Sequence, residues 1–130
     1  MTIPFLCILA VFVLNLGAKL PVAVAMARQP GGYDNHHPRD QQAALSGWGR
    51  RALASHLNGF EAFPPFAAAV LVATVAGADP DWTTRLAVLF VAARVLYIPL
   101  YVFDLASLRS LVWTVGFGAT VAIFLLPLLS

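Results

Sequence analysis

The chain has 130 residues, of which 60% are hydrophobic and 11% charged, and it carries a net charge of +2. A soluble domain carries about 25% charged residues, and a domain this small has too much surface for its volume to hide so much apolar area. The composition therefore excludes a soluble globule and indicates a single integral membrane domain; the basic residues sit at the ends of apolar runs, where they act as topology signals rather than as a nucleic-acid footprint.

A membrane span needs about 20 predominantly apolar residues. Each such run is a helix, because an open sheet edge does not survive in lipid. The first predicted span is 3–27, interrupted by Asn15, Lys19 and Pro21. It has no Lys or Arg ahead of its apolar core, so it reads as a retained span rather than a cleaved leader. Pro21 should bend it near its end, and Lys19 can snorkel toward the nearer interface. Cys7, in this span, is the one cysteine of the chain, so no internal disulfide can form.

Residues 28–47 form a polar loop rich in glycine and proline. His36 and His37 stand there with Asp34 and Asp40, but the spacing is not that of a metal site, and a solvated loop is the preferred reading. The second span is 48–75, with Ser46 as its N-cap. The third is 82–103, after a short connection in which Asp79 reads as an N-cap and Pro80 as the first helical residue. The fourth is 108–129, with Ser107 as a candidate N-cap. Short connections make neighbours antiparallel, so the fold class is all-α, an up-down four-helix membrane bundle.

Positive charge sets orientation. Arg28, Arg39, Arg50 and Arg51 flank the first loop. Arg109 lies at the third, with Arg94 on its approach. The second loop carries Asp79 and Asp81, with only Arg85 nearby. The first and third loops are expected to be cytoplasmic, and both termini and the second loop periplasmic or lumenal.

At about 100° per residue, Arg51, Ala54, Asn58 and Glu61 fall on one face of the second span. The same arithmetic groups Arg94, Tyr97, Tyr101 and Asp104 on the third. Two polar stripes near the same ends of two helices suggest one shared pocket, since intramembrane ionisable groups usually face the bundle interior. The plainer alternative is structural. Glu61 could pair with Arg51 or Arg94, Asn58 could join helices, and the tyrosines could belong to an interfacial belt. Pro64 and Pro65 remove two backbone donors, which frees the carbonyls of Phe60 and Glu61 and should bend the second span there.

The runs "RRALASHLNGFEAFPPF" and "ARVLYIPLYVFDLASLRSLVW" resemble the membrane-associated proteins in eicosanoid and glutathione metabolism, the MAPEG family. The resemblance covers the chain from about Trp48 to its end. Its motifs are an arginine, an asparagine seven on and a glutamate three further, then an arginine with tyrosines three and seven residues later. It implies a homotrimer in which glutathione, as co-substrate, binds between subunits near the cytoplasmic side. Arg51, Asn58 and Glu61 would belong to the glutathione site, joined by Arg94, Tyr97 and Tyr101. Arginine forks suit the two carboxylates of glutathione, and Glu61 suits its ammonium. Arg109 would be the catalytic arginine that stabilises the thiolate and lowers the thiol pKa.

Two departures stand out. Many members of that family have Glu-Arg where this chain has Arg50-Arg51, and a second arginine where this chain has Ala54. Arg50 and His56 are the candidates to replace that cation. The resemblance implies a thiol-dependent transferase or peroxidase acting on lipophilic small molecules among membrane lipids. The alternative is a non-enzymatic membrane scaffold or modulator of the same architecture. A small transporter subunit is disfavoured, because there is no inverted repeat and the ionisable groups cluster near one end.

Overall fold

A computed structural model describes residues 1–129. All regular structure among these residues is helical. The order is α1 (Ile3–Gly17), α2 (Lys19–Ala27), α3 (Pro38–Ala43), α4 (Gly47–Val75), α5 (Pro80–Val102) and α6 (Ala106–Leu125), closed by a 3-10 turn at Leu126–Leu128. Four segments are long and apolar enough to cross a membrane: Ile3–Ala27, Gly47–Val75, Pro80–Val102 and Ala106–Leu128.

The first span is broken where α1 gives way to α2, at Ala18. The break lies three residues before Pro21, nearer the middle of the span than a bend at the proline itself. The reason is local: Pro21 has no N–H, so the carbonyl of Gly17 loses its helical donor. The first loop also holds a short helix, α3, started by Pro38 in its first turn. Gln41 fastens this loop by donating to the carbonyls of Met26 and Gly32 and accepting from the N–H of Asp34. The Asp34 carboxylate in turn accepts from the N–H groups of His36 and His37.

Helix termini separate the expected caps into one that forms and two that do not. Asp79 accepts from the N–H of Trp82 at 2.9 Å, with Pro80 in the first turn of α5. Ser46 occupies the N-cap of α4 but makes no side-chain cap bond; Gly47 beside it has φ +57°, outside the helical region that a regular cap leads into. Ser107 lies inside α6, whose N-cap is Leu105. The difference comes from Asp104, which takes φ +62°. The N–H of Leu105 then reaches back to the carbonyl of Leu100 at 2.9 Å. This is the Schellman closure of a helix C-terminus, with an aspartate where glycine is usual. It ends α5 at Val102 and starts α6 one residue before Ser107.

Helix α4 contacts each of the other spans, and α5 packs on α1, α4 and α6. The main core joins Cys7 and Val11 of α1, Phe66, Ala69 and Val70 of α4, Phe90 of α5, and Ala119 and Ile123 of α6. Phe66 and Phe90 stack with centroids 3.9 Å apart. A second cluster packs Val22, Ala25 and Met26 of α2 on Leu45 and Ala52. Small residues let backbones approach, as is general in membrane bundles. Gly59 is the clearest case, because a Cβ there would lie 2.5 Å from the Asn15 amide oxygen. The amide nitrogen of Asn15 donates to the Gly59 carbonyl at 2.9 Å, so one buried polar group of α1 is satisfied by α4.

In each span 28% or less of the most apolar stretch is buried inside the chain. The remaining apolar surface needs lipid or neighbouring protein to cover it. The first loop and the α5–α6 turn share one end of the bundle, where Arg51 reaches Val102. Thr2 and the α4–α5 turn share the other.

Candidate functional site

The polar stripe of α4 divides. Asn58 and Glu61 line a cavity of about 170 Å³ between α4, α5 and α6. Arg51 lines neither this cavity nor the one beside it. Its Nε donates to the carbonyl of Val102 at 3.1 Å, one of the orphan carbonyls at the end of α5, where a cation also suits the helix dipole. The pocket therefore does not gather every residue of the two predicted stripes. Asp104 is absent for the reason given above: it has left the helix to close it.

The stripe of α5 stays together. Arg94 is 4% exposed and Tyr97 also 4%. Arg94 Nη1 donates to Asn58 Oδ1 at 2.9 Å, and its guanidinium sits 4.1 Å from the centroid of the Tyr97 ring. Tyr97 meets Tyr101 edge to face at 5.6 Å. The Arg109 guanidinium lies 4.4 Å from the Tyr101 ring centroid. The result is a continuous run from Asn58 through Arg94, Tyr97 and Tyr101 to Arg109. Cation–π contacts of this kind help hold a guanidinium in a half-apolar wall. Spacings of three and four place the first members on one face of α5, and the tight turn at Asp104 swings the first turns of α6 back against them.

A second cavity, of about 430 Å³, adjoins the first and is lined by Asn58, Tyr97, Tyr101, Arg109, Ser110 and Trp113. Asn58 and Trp113 form walls of both cavities. The first is mostly apolar, with Phe90, Trp113, Phe117 and Pro65 in its lining; Arg94, Asn58 and Glu61 are its charged and amide members. Glu61 makes no ion pair with Arg51 or Arg94 among the described residues, because those guanidinium groups bond Val102 and Asn58 instead.

The two candidates to replace the cation absent at Ala54 are engaged elsewhere. His56 Nδ1 lies 3.2 Å from the Asn15 carbonyl, toward α1, and Arg50 Nη1 donates to the carbonyl of Ala43. Helix α4 is continuous through Pro64 and Pro65. Pro65 lines the cavity, beside the carbonyls that the two prolines free. Of the α6 wall, sequence reasoning named Arg109 and missed Trp113, Gly116, Phe117 and Thr120. Its signal was present: Arg109, Trp113, Gly116, Phe117 and Thr120 recur at helical spacing, and Phe90 precedes Arg94 by one turn.

The family model described as "MAPEG family" matches residues 3–129. The chain belongs to the MAPEG family. No curated protein and no solved structure matches it. Membership fixes the chain as a multi-pass integral membrane protein of the glutathione and eicosanoid metabolism family. Among the described residues no group of three or more His, Cys, Asp or Glu comes together as a metal site.

Proposed function

We propose that this MAPEG protein is a glutathione-using transferase for lipophilic electrophiles, working as a homotrimer, with its first and third loops on the cytoplasmic side. The observation that carries this reading is the run from Asn58 to Arg109 set between an open cavity of mixed polar and aromatic lining and a smaller, mostly apolar one. Asn58, Glu61, Tyr97 and Tyr101 supply polar contacts for the thiol. Glu61, exposed at the cavity, takes the glutamyl ammonium. Arg94 acts on Asn58 and Tyr97, holding both in position. Arg109 lies where it can stabilise a thiolate by charge, which raises the population of nucleophile at neutral pH.

The thiol first gives its proton to solvent. The sulfur lone pair then attacks the electrophilic carbon, a C–S bond forms, and the leaving group departs with its electron pair. Placing both reactants in adjoining cavities turns a bimolecular encounter into a positioned one. The basic residues flanking the first and third loops support the assigned orientation.

A non-enzymatic scaffold is the second reading. The alanine at position 54 and the use of Arg51 on Val102 favour it, since both reduce the cations available to glutathione. Titration calorimetry of detergent-purified protein with glutathione tests the first reading. Saturable binding at or below millimolar concentration is expected. No binding of glutathione or of any other low-molecular-weight thiol in that range overturns it. Thiol-dependent turnover of a generic electrophile separates an enzyme from a scaffold.

A further inference from the structure

Helix α4 carries polar groups on two faces. Asn58 and Glu61 line the cavity toward α5 and α6. His56 lies about 160° from Asn58 around the helix and faces α1, where its Nδ1 meets the Asn15 carbonyl at 3.2 Å. A carbonyl only accepts, so Nδ1 carries the hydrogen and Nε2 is left free. Lys19 opens α2, one turn after Asn15, and is half-buried in an otherwise apolar span. It makes no hydrogen bond among the described residues.

A third cation comes from the first loop. Arg39 of α3 is near enough for its charge to act on both Lys19 and His56, and Lys19 also acts on His56. Among the described residues no carboxylate acts on either of them. Arg39 gives one N–H to Gln42 at 3.3 Å and keeps the rest of its fork. Three basic side chains thus converge where α1 passes into α2, with no acid to offset them. Basic groups gathered between helices at a membrane interface call for an anion.

The depth is that of lipid headgroups. Helix α4 has 29 residues and is about 43 Å long, against a hydrocarbon core of about 30 Å. Arg50 and Arg51 mark its N-terminal end as the one that stands in the headgroup layer. Below the basic cluster the α1–α4 seam turns apolar. Phe60 meets His56 edge to face at 5.2 Å, and Phe12 meets Phe63 at 6.1 Å. From there a groove of about 430 Å³ runs between the two helices, walled by Phe5, Ile8, Phe12, Phe63 and Leu71. From His56 to Phe63 the helix rises about 10 Å. An acyl chain that crosses half the core, about 15 Å, reaches the mouth of this groove.

We infer that the α1–α4 seam binds one anionic phospholipid of the leaflet at the first-loop end, with its phosphate among Lys19, Arg39 and His56 and one acyl chain entering the groove past Phe12 and Phe63. The phosphate oxygens accept from the Lys19 ammonium and the Arg39 guanidinium. They also accept from Nε2 of a protonated His56, whose ring the Asn15 carbonyl holds in place. A free phosphate would satisfy the cluster but leave the groove uncovered. A zwitterionic lipid would fill the groove but bring a cation of its own to the cluster. An anionic lipid meets both requirements. The site is on the far face of α4 from Asn58 and Glu61, so it stands apart from the transferase reading.

Native mass spectrometry of the full chain in detergent counts bound lipid. Dioleoylphosphatidylglycerol should bind saturably, one per chain, and about tenfold or more tighter than dioleoylphosphatidylcholine. Lys19→Gln and Arg39→Gln should each weaken it about fivefold. Arg50→Gln should leave it unchanged, because Arg50 lies at the same end but bonds Ala43. Arg39 is exposed, so its variant keeps the test open even where Lys19→Gln disturbs the fold. Glycerol 1-phosphate, the anion without its chains, should not displace the lipid even in large excess. Equal binding of the two lipids, or an equal loss in Arg50→Gln, means diffuse surface charge and overturns the site. Displacement by glycerol 1-phosphate makes it a site for soluble phosphate and overturns the lipid. If lipid binds only as the oligomer dissociates, read by light scattering, a second copy of the chain covers the seam and the inference falls.

Discussion

Arg94 Nη1 donates to Asn58 Oδ1 at 2.9 Å, tying the middle of α5 to the middle of α4. Both residues belong to predicted stripes, yet the contact joins them to each other rather than to the acid and base that flank them. It leaves Glu61 open at the cavity and Arg51 with Val102. A polar tie of this kind in a membrane bundle contributes about 0.6 to 2 kcal/mol.

Removing one partner should cost more than the tie itself. Asn58→Ala leaves a buried guanidinium short of its acceptor, at a cost of about 1–3 kcal/mol. The double substitution Asn58→Leu with Arg94→Met should recover most of that loss, because it removes both polar groups at once. Thermal unfolding in detergent of Asn58→Leu, Arg94→Met and the double variant, arranged as a double-mutant cycle, measures this. Additive losses would mean the two residues are not coupled.

Arg109→Ala tests the thiol chemistry. With glutathione bound, ultraviolet absorbance of the thiolate should be lost, since the cation facing Tyr101 would no longer favour the ionised sulfur. Oligomeric state, read by light scattering in detergent, should not change. Undiminished thiolate absorbance would remove Arg109 from the mechanism.

Gly59→Ala should disrupt the α1–α4 contact. The new methyl would lie 2.5 Å from the Asn15 amide oxygen, so the two helices must separate or Asn15 must leave its bond to the Gly59 carbonyl. A loss of about 1–3 kcal/mol is expected from overpacking, again by thermal unfolding. Asn15→Ala, made alone, should cost less, about 0.6 kcal/mol.

Asp104→Val should destabilise the α5–α6 turn by about 1–2 kcal/mol, because a β-branched side chain is poorly tolerated at φ +62°. Asp104→Gly should be tolerated at that backbone angle. Since this turn delivers Arg109 to Tyr101, the valine variant should also weaken thiolate formation, whereas the glycine variant should not. Equal behaviour of the two would show that the backbone angle is unimportant.

The amino-acid sequence determined the class of this protein and its four helices, because a run of apolar residues long enough for the bilayer admits only one backbone solution. It also determined which residues share a helical face, since the 3.6-residue period is a local property. Arg94, Tyr97 and Tyr101 could be grouped for that reason. What a face meets is not local. The break at Ala18 follows from the donor that Pro21 denies to the carbonyl of Gly17, while the end of α5 follows from one backbone angle at Asp104. Only the packing of α4 against α5 decided that Asn58 meets Arg94 while Arg51, on the same stripe, passes to the end of the neighbouring helix. Only the return of α6 across both built the cavities and brought Trp113 and Phe117 into them. Helix periodicity sets the direction in which a side chain points, but its partner depends on the crossing and depth of a second helix, which are set by the close packing of small residues such as Gly49 and Gly59.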